Sequence, residues 1–173
     1  GLAELVLVVE ALGRRLAPEP IAGALAMGGF ALAEGGSAAQ RAAWLPGVLA
    51  GEKVVALAHQ EPGARYDLFH VETRAEARGA GHSLSGRKSQ VLDAVGADAL
   101  IVPARTAGST GDRDGITLFL VDARAPGVTI ERQIRVDHRN AALVRLDGVA
   151  CDAASVVGGV GEGGALLARG IDR

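Results

Sequence analysis

The densest run of chemistry-bearing side chains is His59-Gln60-Glu61-Pro62-Gly63-Ala64-Arg65-Tyr66-Asp67. Pro62-Gly63 sets a turn, and a turn that exposes its amides has what an anion site needs. The same dipeptide also serves as a plain β-turn with no task beyond geometry. Tyr66 could meet a ligand or merely cover the end of a β-structure. A second polar cluster, Ser109 to Asp114, carries Arg113, which could pair with phosphate; its competing description is a solvated hairpin tip. Gly158 to Gly164 has neither Walker spacing nor a dinucleotide fingerprint and reads as a hinge. His59, His70, His82 and His138 lack metal-ligand spacing, so no metal site is expected. The single cysteine, Cys151, excludes an intramolecular disulfide and reads as a small buried hydrophobe. No Ser-His-Asp arrangement can be argued, and no catalytic residue is nominated.

Those side chains must be mounted on something, and composition bounds what. The 173 residues suffice for one sizeable domain or a small one with attached pieces. Hydrophobic content is 49%, but only 3% of residues are aromatic, so the core is built from Ala, Val and Leu. The 25 glycines are about twice the usual ~7% share, implying many tight turns or close backbone approaches. A net charge of −2, with Lys only at Lys53 and Lys88, gives no nucleic-acid footprint and no polybasic membrane patch. No apolar run reaches the ~18 residues of a membrane span. Lone-cysteine usage suits a reducing, cytoplasmic setting. The chain opens without Met on a helical pattern already running at Leu2, as expected of a chain entered partway.

Leu2, Leu5, Val6, Val9 and Leu12 recur at helical steps, and Glu10 and Arg14 are spaced as a helical pair. Pro18-Glu19-Pro20 ends that helix. Residues 21–34 form an Ala- and Gly-rich buried helix. Ser37-Ala38-Ala39-Gln40 has capping-box form; the helix it starts is interrupted at Pro46, runs at most one more turn to Ala50, and stops at Gly51. The period then changes from 3.6 to 2. Strands are expected at Val54–Ala58, Val71–Arg78, His82–Leu84 with a bend at Gly86, Leu100–Val102, Ile116–Val121, Val128–Val136 and Ala142–Leu146. Gly79-Ala80-Gly81 makes one turn, and Gly111-Asp112 is the tight turn of the polar loop. Strands joined by short turns argue for an α+β chain with an antiparallel β-barrel or sandwich. It is preceded by α-helices and followed by the start of a C-terminal helix at Ala165–Arg169.

Several runs in order resemble the acyl-CoA dehydrogenase family. Glu10-Ala11-Leu12-Gly13-Arg14 with Ala17-Pro18-Glu19-Pro20 is similar to the last helix of that family's N-terminal helical domain. Gly36 to Arg41 with Trp44-Leu45-Pro46 and Ala50-Gly51-Glu52 resembles the next helix and the lead into the sheet. Ala58 to Leu68 stands in the place of its Thr-Glu-Pro…Gly-Ser-Asp signature, and Leu84-Ser85-Gly86-Arg87-Lys88 resembles its Leu-Asn-Gly-x-Lys hairpin. Gly115 to Val128, Leu146-Asp147-Gly148-Val149 and Gly161-Glu162-Gly163 complete the series.

The resemblance implies three parts: residues 1–51 end an N-terminal helical domain, 52–155 form the middle β-barrel domain, and 156–173 form a hinge and the cut-off start of a C-terminal helical domain. It implies FAD as cofactor, contacted by His59, Gln60, Arg65, Tyr66, Gln90, Val91 and Leu92, and an acyl-CoA substrate met by Tyr66 and Arg113. It implies oxidation of the Cα–Cβ bond of the thioester, as part of a homo- or hetero-oligomer with other such subunits. The catalytic carboxylate would lie beyond this chain, so residues 1–173 alone are expected to be inactive. Gln60 replaces the family's Thr, Arg65-Tyr66 its Gly-Ser, and Gln90-Val91-Leu92-Asp93 its aromatic-Ile-Thr-Asn run. These departures resemble the smaller partner subunits of heteromeric members, so the alternative is a non-catalytic structural subunit.

Overall fold

The computed structural model describes residues 2–171; the start at Gly1, and Asp172 and Arg173 at the end of the expected C-terminal segment, lie outside the described residues. Helix α1 spans Leu2–Arg14, with Arg14 donating to Glu10 at 2.6 Å. Its apolar positions are not covered: Val6, Leu7, Val8 and Val9 are exposed. The expected buried helix at 21–34 is a π-helical segment, Ile21–Gly29, followed by α2, Phe30–Gly35. A β-carbon on Gly28 would collide with the Val55 carbonyl, so this segment lies against the first strand because Gly28 has none.

Helix α3, Ala38–Ala50, begins with the full capping box: Gln40 N donates to Ser37 Oγ at 3.1 Å and Ser37 N to Gln40 Oε1 at 2.9 Å. Pro46 does not interrupt it. Only one further turn follows, closed by Gly51 in the left-handed region, φ 74°.

The strands are β1 Val55–Leu57, β2 Arg74–Arg78, β3 Gly81–Leu92, β4 Ala99–Arg105, β5 Ile116–Asp122, β6 Val128–Arg132, β7 Ala141–Cys151 and β8 Val156–Val157. Helix α4, Gly163–Ile171, follows. The strands form one sheet in the order β6-β7-β3-β2-β4-β5-β8, with β1 also on β4. The α+β class holds, but two expectations need correction. Pairing does not close into a barrel: β6 and β8 end the order. Just beyond β8, Gly158 N donates to the Gly35 carbonyl of α2 at 2.8 Å. Nor is pairing wholly antiparallel, because β1 and β2 both run parallel to β4. Hairpin logic fails there since β1 and β2 lie in succession along one edge of β4, separated by the long excursion of residues 58–73.

Strand β4 is buried on both faces, which is why Leu100-Ile101-Val102 reads as an unbroken apolar run rather than an alternation. Ala99 and Ile101 join Ile116, Leu118, Val157, Leu32 and Leu166 under the helices. Leu100 and Val102 join Phe119, Leu84, Val144 and Val149 on the other face. That second cluster draws side chains from β4 and β5 and from β3 and β7, so the sheet curves around it.

Candidate functional site

Two irregular stretches of backbone meet at one end of the sheet. The first is the excursion 58–73, which contributes no strand. The second is the end of β3, where the register with β7 shifts between Lys88 and Val91. Arg65 has φ 51° and Gln90 φ 50°, left-handed conformations that side chains other than glycine's rarely adopt. Both line one cleft of about 430 Å³, together with Gln60, Glu61, Pro62, Tyr66 and Ser89. Strain of this kind, of order 1–3 kcal/mol per residue, tends to collect where a site is assembled.

What holds the two walls together is a buried ion pair. Lys88 Nζ lies 2.6 Å from Glu61 Oε1 and donates to the Pro103 carbonyl at 2.7 Å. The Lys88 side chain is fully buried and the Glu61 side chain nearly so. Glu61 Oε1 also accepts from Thr73 Oγ1 at 2.7 Å and Thr73 N at 3.1 Å, and Oε2 from Glu72 N at 2.6 Å. One carboxylate therefore closes the neck of the excursion and grips β3 at once. Burial alone would raise the Glu61 pKa; the Lys88 charge and the Thr73 and Glu72 donors more than offset it and hold the carboxyl below its usual value. Burial draws the Lys88 pKa down, against the pull of Glu61. A direct backbone bond, Ser89 N to the Gln60 carbonyl at 2.8 Å, runs beside the pair.

The sequence-predicted residues divide. Gln60, Arg65, Tyr66 and Gln90 come together on the cleft, with Tyr66 wholly exposed. His59 is half-buried and does not line the cleft. Burial pushes the His59 pKa down to about 4, with the nearby Lys88 charge adding to the shift, so the ring is neutral at pH 7. Val91 points into the apolar cluster on the curved face of the sheet, and Leu92 packs beside Gly23 of the π-helical segment. Arg113 is not on this cleft. It lies over the Phe69 ring, 4.9 Å from its centroid, and lines a separate cleft of about 680 Å³ with Asp114, Glu162 and Arg169.

The loop that carries Arg113 is exposed, as a hairpin tip should be, but its backbone is anchored. Arg105, 2% exposed, donates to the carbonyls of Phe69 (3.0 Å), Thr110 (2.8 Å), Asp112 (2.9 Å) and Asp114 (2.7 Å). The expected tight turn forms, with Asp112 N donating to the Ser109 carbonyl at 3.1 Å, and Gly108 and Gly115 on either side of it are left-handed. Sequence reasoning singled out neither Glu61 nor Lys88 nor Arg105. One signal was there for Lys88: it shares strand parity with inward-facing Leu84, and a lysine on a buried face requires a partner.

Among the described residues no group of three or more His, Cys, Asp and Glu side chains could hold a metal. No described helix is long and apolar enough to cross a membrane.

Known proteins resemble this chain in sequence and fold. The family model for the acyl-CoA dehydrogenase middle domain matches residues 56–149. Mitochondrial isovaleryl-CoA dehydrogenase of Pongo abelii is 32% identical over 146 residues, 82% of this chain and 34% of that protein. Acyl-CoA dehydrogenase FadE27 of Mycobacterium tuberculosis is 30% identical over 159 residues, 92% of this chain and 40% of that protein. In the ChsE4-ChsE5 complex from the same organism, a chain superposes with TM-score 0.83 at 29% identity, covering 98% of this chain and 43% of its own length. The chain thus spans well under half the length of these relatives. With the middle-domain match running from β1 to β7 across the whole of the clasped cleft, the chain belongs to the acyl-CoA dehydrogenase family.

Proposed function

We propose that this chain is the flavin-facing middle portion of an FAD-dependent acyl-CoA dehydrogenase that oxidises the Cα–Cβ bond of an acyl-CoA thioester. The carrying observation is the convergence of Gln60, Arg65, Tyr66 and Gln90, from separate stretches of sequence, on one cleft with two left-handed non-glycine residues. The donor set suits the group. Glu61, the carboxylate on the cleft, has Oε1 engaged by Lys88 and Thr73 and Oε2 by the Glu72 amide. What remains to face a ligand is two carboxamides, a guanidinium, a phenol and the Ser89 hydroxyl, suited to a ring edged with carbonyl oxygens and ring nitrogens.

FAD, when bound, supplies the acceptor for the substrate's β-hydrogen as hydride. On this reading the Gln60 and Gln90 carboxamides and the Arg65 guanidinium hold its ring system, and Tyr66 stands at the mouth toward the acyl chain. His59, Val91 and Leu92 support the wall from behind. Arg113 receives the CoA portion on the separate cleft it lines. The base that takes the α-proton belongs to sequence beyond this chain. Residues 1–51 then end an N-terminal helical domain whose remainder covers Val6, Leu7 and Val9 of α1, and 156–173 begin a C-terminal helical domain.

A second reading, a non-catalytic subunit supporting a catalytic paralogue, is favoured by one observation. Arg65 and Tyr66 put two large side chains on the cleft where the family's signature has small ones. The likeness to a chain of the ChsE4-ChsE5 complex is in keeping with a heteromeric assembly. One experiment separates the two. The full-length protein, purified alone, should be yellow with bound flavin and bleach on addition of acyl-CoA. A protein that takes up no FAD by itself overturns the first reading, and turnover by the protein alone excludes the second.

A further inference from the structure

The Glu61–Lys88 pair does more than its energy explains. A buried ion pair is often no more stabilising than apolar side chains of the same volume, because removing two charges from water offsets most of their attraction. Stability therefore gives no reason for charge at these positions; geometry does. The walls of the cleft are joined by no run of ladder bonds. Residues 58–73 carry no strand, and β3 slips register between Lys88 and Val91. The link between them is the Ser89–Gln60 backbone bond and the 2.6 Å contact of Lys88 with Glu61. The same ammonium is referenced to β4 through the Pro103 carbonyl, and the same carboxylate to Glu72 and Thr73 at the far end of the excursion. Three separate segments thus meet at two side chains. Contacts of this kind fix distance and direction together, whereas apolar contacts let neighbours slide.

We infer that Glu61 and Lys88 are positioning residues: they set the spacing of the Gln60–Tyr66 wall against the Ser89–Gln90 wall, and so set the affinity of the cleft for its ligand. The affinity part rests on the flavin reading above; the spacing part does not, and the experiment separates them. In the full-length protein, nitroxide labels at Tyr66→Cys and Arg87→Cys, both on exposed positions, report the wall-to-wall distance by pulsed electron resonance without any FAD present. The expected distribution is narrow in the parent and clearly broader in Glu61→Gln/Lys88→Met, a double variant that leaves no unpaired buried charge. An unchanged distribution in the folded double variant overturns the inference.

FAD titration of the same proteins without labels then reads the consequence. We expect at least a tenfold rise in Kd for the double variant, with its unfolding midpoint closer to the parent's than that of either single variant. A Kd within twofold of the parent overturns the affinity part. A parent that binds no FAD overturns the flavin reading while the distance measurement still decides the clasp. If the double variant does not fold, Thr73→Val takes its place, since it removes one hydroxyl bond to Glu61 and keeps the β-branched shape. About a threefold rise in Kd and a modest broadening are expected, and no change in either counts against the inference.

Discussion

Lys88 and Arg105 are the two bulkiest fully buried side chains described, and each holds an irregular region at the end of a strand, by different means. Lys88 is tied to a carboxylate, with one carbonyl in support. Arg105 has no carboxylate within bonding distance and spreads its charge over four backbone carbonyls. A compact ammonium beside a single counter-ion gives a tight, stiff clasp that fails badly when one partner is lost. A planar guanidinium shared among four carbonyls, three on the exposed loop and one at Phe69, depends on no single partner, and the loop carbonyls can turn to water when it is lost. The first arrangement sits at the cleft with two strained residues, and the second supports the loop bearing Arg113.

The contrast can be broken most directly at Lys88. Lys88→Met leaves Glu61 buried without its counter-ion and should cost about 3–5 kcal/mol in urea unfolding. Arg105→Met should cost less, about 2 kcal/mol, the worth of a single bond to a charged group, because it strands no buried counter-charge and the loop carbonyls it frees are within reach of solvent. Faster amide exchange at Thr106 and Ala107, whose N–H groups bond the Gly115 carbonyl, should accompany it. Equal losses at the two sites would erase the distinction.

The smallest effect is in pH. The folded His59 pKa lies near 4, below the ordinary histidine value of 6.5. The unfolded chain therefore takes up a proton before the folded one does, and stability falls as pH drops from 6.5 toward 4. Glu61, held below the ordinary glutamate value of 4.5, adds a further loss as pH falls below that value. Carbonyls do not titrate, so the Arg105 mount has no counterpart. Thermal midpoints measured from pH 7 to 4 should decline, and the decline should be shallower in His59→Gln. A parallel decline in that variant would remove His59 from the account.

Much of this molecule follows from local chemistry. The Ser37–Gln40 capping box and the Gly51 stop are readable because a cap is made by residues three or four apart, and the structure has both. Pro46 shows the limit of such rules: one proline near a helix end did not break a helix already capped at both ends. The turn at Gly111-Asp112 was legible for the same local reason as the caps, Asp112 N bonding the Ser109 carbonyl across it. Val91 and Leu92 were grouped with the site by their place in the sequence. The pleat sends one into the core and the other against Gly23.

By itself, then, the sequence determined the element types, the α+β class and the family, because periodicity, caps and ordered motifs are properties of neighbouring residues. Only the tertiary structure decided that the sheet stays open, that β1 and β2 run parallel to β4, and that Glu61 meets Lys88. Those outcomes depend on which distant segments share a strand edge or a buried volume. Strand parity with Leu84 marks Lys88 as inward-facing, but nothing periodic along the chain names a partner 27 positions away; that pairing is set only when folding brings the two segments together.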